Sequence, residues 1–235
     1  MSTSSILSND TVAHLVGVSK SYAMGERNLE VLRDIDLAIT RTEFVALMGP
    51  SGAGKSTLLN ILGLLDTPTS GEYILGGKDT SRLSDSHLSW LRNRSIGFIF
   101  QSFNLFPRLS VQKNIEVPMM YAEFKRKKRK KRALELAAHV GLAERSDHYP
   151  TQLSGGEMQR VAIARSLSCE PELVLADEPT GNLDAKTSTE IMNLLTRLNS
   201  EGVTIVMVTH NPELIEYVQR VVEIHDGVIK EDRQT

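Results

Sequence analysis

Hydrophobic residues along this chain follow two rhythms. The first is a set of short, nearly unbroken apolar runs. Glu43-Phe44-Val45-Ala46-Leu47-Met48 stops at Gly49, and Ile96–Phe100 stops at Gln101. Leu173-Val174-Leu175-Ala176 stops at Asp177, and Val203–Val208, with one threonine inside, stops at Thr209 and His210. Val221-Val222-Glu223-Ile224 follows near the end. Runs of this length, bounded by glycine and polar residues, predict strands buried on both faces. Val12, Leu15 and Val16 mark strand near the start, and Gly71-Glu72-Tyr73-Ile74-Leu75-Gly76-Gly77 a strand with its turn. The second rhythm is helical. Ala133, Leu136, Ala137 and Val140 recur at i, i+3, i+4 and i+7, one face of a helix. Further helices are predicted from Lys55 to about Leu65, over Arg160–Ser168 and over Thr187–Asn199. His225-Asp226-Gly227-Val228 reads as a hairpin turn.

Strands alternating with helices imply βαβ units, hence an α/β fold with a mostly parallel sheet. The stretch from about 102 to 165 is helical instead, which predicts an insertion in that core. The 235 residues fit one large domain or two small ones, with neither an internal repeat nor a low-complexity linker. Hydrophobic and charged fractions of 40% and 24% exclude a disordered or fibrous chain. No apolar stretch approaches the ~20 residues of a spanning helix. Met1-Ser2-Thr3-Ser4-Ser5 carries no basic residue ahead of Ile6-Leu7, so no secretory signal is expected. One cysteine, Cys169, excludes a disulfide framework or zinc cluster and points to a reducing cytoplasm.

The net charge of −2 hides an asymmetry. Lys125 through Arg132 is a run of eight basic residues, and outside it 19 basic residues face 29 acidic ones. A nucleic-acid binder would be basic overall and would interleave aromatics with its charges. This chain does neither, so no nucleic-acid partner is expected. The run reads either as a solvated helix face or as a contact for anionic inner-leaflet lipid.

Three segments carry candidate chemistry. Gly49-Pro50-Ser51-Gly52-Ala53-Gly54-Lys55-Ser56-Thr57 matches G-x-x-x-x-G-K-[ST] between a predicted strand and a predicted helix. Gly49, Ser51, Gly52 and Gly54 let backbone N–H groups close around phosphate oxygens, and the helix start adds positive potential. Lys55 reaches toward β- and γ-phosphates, the Ser56 hydroxyl suits Mg²⁺, and Thr57 completes the loop. The second segment is the strand ending in Asp177-Glu178. Ligands of such sheets sit at the carboxyl ends of strands. Asp177 suits the metal shell and Glu178 a general base for water. The third is Leu153-Ser154-Gly155-Gly156-Glu157-Met158-Gln159-Arg160, a second glycine-containing helix start. Ser154 with Glu157 forms a capping box, which leaves the adjacent glycines unexplained.

With these segments the chain resembles an ATP-binding cassette (ABC) ATPase over essentially its whole length, LSGGEMQR being similar to that family's signature motif. The resemblance implies a P-loop NTPase core with an inserted helical subdomain and an N-terminal antiparallel β subdomain. The expected layout is one domain over 1–235, its core from 1–101 and 166–235 and its signature subdomain from about 102–165. ATP and Mg²⁺ are the implied cofactors, the metal falling to Ser56, Gln101 and Asp177. The family pattern also implies a head-to-tail homodimer in the ATP-bound state. Ser154, Gly155 and Gly156 of each chain then meet the γ-phosphate held by the other chain's loop. Matched residue by residue, Tyr22 resembles the aromatic that stacks on adenine, and Gln101 the Q-loop glutamine that senses Mg²⁺ and the attacking water. Asp184, in Gly181-Asn182-Leu183-Asp184, resembles the D-loop aspartate, and His210 the switch histidine on the γ-phosphate. Glu178, His210, Lys55 and Gln101 are the implied catalytic set. One departure is Thr42 before Glu43, where the family usually has glycine, which puts the local turn type in question.

Outside the site, Asn60–Gly71, Phe98–Leu105, His148–Leu153 and Ala176–Asp184 resemble the lipoprotein-releasing and macrolide-export (LolD/MacB-type) group. That implies an integral membrane partner with a large extracytoplasmic domain, and a place on the cytoplasmic face of the inner membrane. Phe103, Leu105, Phe106 and Pro107 would line the docking cleft, or else pack the helical insertion. The expected role is driving export, lipoprotein release or mechanotransmission. The alternative is an ATP-dependent regulatory scaffold of a cell-envelope complex without transported cargo. A soluble DNA-repair or translation ABC protein is disfavoured by the short span between Gln101 and Ser154 and by the single cassette.

Overall fold

Residues 10–25 and 27–235 are described by a computed structural model. The stretch Met1–Leu7, read above as lacking a secretory signal, lies outside them. The chain opens with β1 (Thr11–Met24), β2 (Arg27–Thr40) and β3 (Phe44–Met48), then α1 (Lys55–Leu62). β4 (Ser70–Leu75), β5 (Lys78–Asp79), α2 (Asp85–Ser95) and β6 (Ile96–Phe100) follow. The middle holds α3 (Val111–Tyr121), α4 (Arg126–His139) and α5 (Gly155–Ser166). The last part runs β7 (Leu173–Asp177), α6 (Ala185–Ser200), β8 (Ile205–Val208), β9 (Arg220–His225) and β10 (Val228–Gln234).

Among the described residues these strands form an antiparallel sheet, β2-β1-β4-β5, and a six-stranded sheet, β10-β9-β3-β8-β7-β6. The second is parallel except for its terminal β9–β10 hairpin. The continuous apolar runs conceal a period of two. Phe44, Ala46 and Met48 of β3 enter one apolar cluster, Val45 and Leu47 the other. β7 and β8 divide in the same way: Val174, Ala176, Ile205 and Met207 face one side, Leu173, Leu175, Val206 and Val208 the other. The first cluster takes α3, α4, α5 and α6 through residues such as Ile115, Leu136, Val161 and Ile191. The second takes α1, α2 and the antiparallel sheet through Leu58, Leu91, Leu15, Ile35 and Tyr73. The expected α/β core, helical middle and N-terminal antiparallel sheet are all present. The middle helices share one core with a face of the sheet rather than owning a separate one.

Several element bounds differ from expectation. α1 stops at Leu62, because Leu64 turns left-handed at φ 52° and Gly63 lies against Phe98. α5 begins at Gly155, five residues before the predicted start, since the Ser154 capping box starts it there. α6 runs longer at both ends, with Asp184 as its N-cap. The apolar pattern missed α2, which buries only Leu88, Leu91 and Ser95. It also marked only the first residues of the 14-residue strand β1 and none of the equally long β2. Asp226 and Gly227, both at positive φ, make the predicted hairpin turn. Thr42 stands at φ 62°, the left-handed region that favours glycine. The turn is therefore kept and a β-branched residue carries its strain. Thr204 and Asn199 hold it in place, through Thr42 N–H donating to Thr204 Oγ1 at 3.0 Å and Asn199 Nδ2 donating to Thr42 O at 2.8 Å.

Candidate active site

Strand register gathers the candidate residues on one edge of the sheet. Leu47 pairs with Val208, Val208 with Asp177, and Asp177 with Phe100. The residues that follow these positions are therefore neighbours: Gly49, Gln101, Glu178 and His210 all leave the same carboxyl edge.

The Gly49–Thr57 loop is shaped by close approach. Gly49 sits at φ 142°, where a Cβ would lie 2.0 Å from Ile224 O of β9. Gly54 sits at φ 103°, where a Cβ would lie 2.7 Å from Leu32 Cδ2 and 3.0 Å from Val31 O of β2. Any larger residue would push the loop off both strands. No side chain caps α1 and no acidic residue stands in its first turn. Its leading N–H groups and positive dipole end thus remain available to an anion. The Lys55 ammonium, buried, donates to Gly49 O at 2.8 Å and Pro50 O at 2.7 Å, which stretches it along its own loop.

Beside the loop stand Asp177 and Glu178. Glu178 adopts φ 43°, and its N–H donates to Val208 O at 3.0 Å. Burial pushes the Asp177 carboxyl up, the Glu178 charge adds to this, and the Lys55 ammonium opposes it. Glu178 Oε1 is 2.7 Å from His210 Nδ1, tying the expected base to the expected switch residue. A cleft of about 550 Å³ collects Ser51, Gly52, Gly54, Lys55, Ser56, Thr57, Asp177, Glu178 and His210, with Val31 and Val208. Val31, at a position no motif marks, enters it through the long β2 strand.

Other expected site residues lie apart from that cleft. A Cβ on Gly181 would lie 2.5 Å from Gln101 Nε2, and Asn182 Nδ2 donates to Gln101 O at 3.0 Å. Gln101 therefore packs on the 181–182 segment rather than over Lys55. Asp184 accepts from Thr187 N–H at 3.0 Å and Thr187 Oγ1 at 2.6 Å. Ser154 Oγ accepts from Glu157 N–H, and Glu157 Oε2 accepts from Ser154 N–H at 2.8 Å, the predicted capping box. The adjacent glycines now have a reason. A Cβ on Gly155 would stand 3.2 Å from Leu183 Cδ2, and one on Gly156 2.5 Å from Thr187 Cγ2. Tyr22, partly exposed at the end of β1, donates its hydroxyl to Asp66 Oδ2 at 2.6 Å.

Of the four predicted docking residues, Phe106 lines a groove of about 500 Å³ with Phe98, Phe100, Val117 and Tyr121. Leu105 packs into the helical core, and Phe103 lies near Gly155. Pro107 is exposed.

Residues 32–181 match the family model described as ABC transporter, a span from β2 through the Gly181 turn. The chain belongs to this family. It is an ABC ATPase cassette, the ATP-binding part of a transporter. His210 lies beyond the matched span. An uncharacterized ABC transporter ATP-binding protein of Bacillus subtilis, YknY, is 54% identical over 215 residues, covering 92% of this cassette and 94% of the relative. The macrolide export ATP-binding/permease protein MacB of Chlorobaculum tepidum is 51% identical over 220 residues. Those cover 94% of the cassette but 34% of MacB, so this chain spans about a third of that relative. Among solved structures, a dimeric post-hydrolysis state of the cassette MJ0796 bound to ADP and Pi superposes with a TM-score of 0.85 at 42% identity. That likeness covers 95% of this cassette and 98% of MJ0796.

Proposed function

We propose that this cassette hydrolyses ATP in a head-to-tail dimer and so drives a separate integral membrane subunit with a large extracytoplasmic domain. The work done is export, lipoprotein release or mechanotransmission. One observation carries the dimer. The phosphate loop, Asp177, Glu178 and His210 share a cleft, whereas Gly155 and Gly156 lie against Leu183 and Thr187 and Ser154–Gly156 add nothing to its lining. A second glycine-containing helix start with no phosphate loop of its own to serve suits a partner's site.

In this reading Lys55 and the loop N–H groups hold the β- and γ-phosphates, while Tyr22 stacks on adenine. Ser56 and Asp177 offer hard oxygen donors in one cleft, the donor set Mg²⁺ takes beside phosphates. Ser56 and Asp177 would hold the ion together with substrate phosphate and water oxygens. Bound there, Mg²⁺ would supply charge neutralisation for the developing phosphate charge. Glu178 accepts the proton of the attacking water as the new P–O bond forms and the β–γ bridge breaks. His210 orients Glu178 and meets the γ-phosphate. Ser154, Gly155, Gly156 and Asp184 act across the dimer seam.

No helix among the described residues is long and apolar enough to cross a membrane. The groove bearing Phe106 suits contact with the membrane subunit. A place on the cytoplasmic face of the inner membrane follows from the same reading. So does lipid contact through Lys125–Arg132, where Arg126, Lys127 and Lys130 are exposed and enter no ion pair among the described residues. Affinity purification of the tagged chain from detergent-solubilised membranes tests the reading. A stoichiometric membrane protein with a large extracytoplasmic domain is expected. Recovery of soluble proteins alone, from a preparation that hydrolyses ATP, would overturn it.

A further inference from the structure

Stacking on adenine requires the Tyr22 ring to be in place, and the geometry points to Asp66 and Lys20 as the residues that hold it there. This inference rests on the adenine reading of Tyr22. Tyr22 Oη donates to Asp66 Oδ2 at 2.6 Å. The other oxygen of that carboxylate accepts from Lys20 Nζ at 2.5 Å and from Thr67 N–H at 2.7 Å. Lys20 Nζ also donates to Thr67 O at 2.8 Å and stands over the Tyr22 ring, 4.8 Å from its centroid. Lys20 and Tyr22 are two residues apart on β1 and so share one face of the strand.

The tether extends beyond one hydrogen bond. Thr69 N–H donates to Ser19 O at 2.8 Å, and Ser21 N–H donates to Thr69 Oγ1 at 3.0 Å. Segment 66–69 is thus stitched along the 19–22 end of β1. Asp66 lies four residues beyond the end of α1, whose first turn, Lys55–Thr57, lines the phosphate cleft. The Thr57 side chain is itself beside the Tyr22 hydroxyl. A single helix therefore starts at the phosphate grip and leads, past its far end, to the carboxylate that fixes the aromatic.

The chemistry fits the task. Tyr22 is 37% exposed, and an untethered aromatic at that exposure would lose rotamer freedom on binding. Lys20 is buried and lies over one face of the ring, so an incoming base meets the other. Burial raises the Asp66 carboxyl, but the bonds from Lys20, Tyr22 and Thr67 outweigh it and keep the group ionised. Charge-assisted hydrogen bonds are the stronger kind. Asp66 and Lys20 do not line the cleft, which makes them positioning residues.

Equilibrium binding of ATP and of inorganic tripolyphosphate, with ATP KM and kcat, separates the possibilities. Tyr22→Phe keeps the ring and removes the tether, Asp66→Asn weakens its other end, and Tyr22→Ala removes the ring. Tyr22→Phe and Asp66→Asn are each expected to weaken ATP binding roughly three- to tenfold. The loss should appear in KM rather than kcat, spare tripolyphosphate, and grow no larger in the double variant. Tyr22→Ala should weaken ATP further, again sparing tripolyphosphate. If Tyr22→Ala loses ATP affinity while Tyr22→Phe and Asp66→Asn do not, the tether is overturned and stacking stands. If Tyr22→Ala binds ATP normally, stacking itself fails and the tether with it. If Asp66→Asn weakens tripolyphosphate as much as ATP, Asp66 supports the phosphate loop and the inference is overturned. Tyr22→Phe, which deletes one partly exposed hydroxyl, decides the matter should Asp66→Asn fail to fold.

Discussion

Glu178 stands at the junction of chemistry and backbone geometry. Its left-handed φ of 43° bends the chain directly after β7, and its carboxylate meets His210 instead of running on with Asp177. Replacing it by glutamine keeps the shape and removes the base. Glu178→Gln is expected to lower turnover by at least about 100-fold while retaining ATP and accumulating a dimer. Phosphate release and size-exclusion chromatography with ATP check this, and sustained parental hydrolysis by the variant would refute the role. Thr42 offers a test away from the chemistry. A β-branched residue at φ 62° carries strain that glycine would relieve, at the smaller cost of a freer unfolded chain. Thr42→Gly should raise stability by about 1 kcal/mol, or ~2–4 °C in Tm, with ATPase activity unchanged. A lower Tm would show that its contacts to Thr204 and Asn199 outweigh the strain.

At the scale of elements, the contact between α5 and α6 explains the double glycine. The predicted capping box accounts for the start of α5 but says nothing about its neighbour. The neighbour is Thr187, on the first turn of α6, whose Cγ2 would lie 2.5 Å from a Cβ on Gly156. Gly156→Ala must part the helix starts, an overpacking cost of about 1–3 kcal/mol. Gly156→Ala with Thr187→Ser, which removes the offending methyl and keeps the hydroxyl bonded to Asp184, should recover most of that loss. Thermal melts of the two variants decide it; equal destabilisation would mean that the clash lies elsewhere. Helix α4 poses a different question. Lys127, Lys130, Lys131 and Leu134 line one groove on its surface, and Leu134, Met120 and Tyr121 are exposed large apolar residues. Basic charge with apolar side chains suits an anionic lipid surface.

At the scale of the whole molecule, the lipid and dimer readings become separable. Reversing Lys127, Lys130 and Lys131 to glutamate should reduce association with anionic liposomes at low salt and leave ATPase activity intact, because α4 contributes no residue to the cleft. Unchanged association would leave the run as a solvated face. Loss of the Ser154 hydroxyl should instead slow hydrolysis in the dimer while single-chain ATP binding persists, since Ser154 does not line its own chain's phosphate cleft.

The sequence by itself determined the buried strands of the parallel sheet, the alternating order and the chemical types at the site. Those are local facts: the apolar runs, the glycines that allow positive φ, and the carboxylates that end β7. It also marked the Asp226-Gly227 turn. It left unmarked the contacts that cross long stretches of chain. Val31 beside the phosphate loop, Thr187 against Gly156 and Asp66 on Tyr22 join positions far apart in the chain, and no local pattern announces the contact. Long β1 was only partly legible and β2 not at all, because polar residues alternate unevenly along them and register shifts interrupt their pairing. Only tertiary structure decided which glycines exist for φ and which for space. Gly52, at φ 81° with nothing near a Cβ, and Gly156, against a methyl at 2.5 Å, are the same letter for different physical reasons.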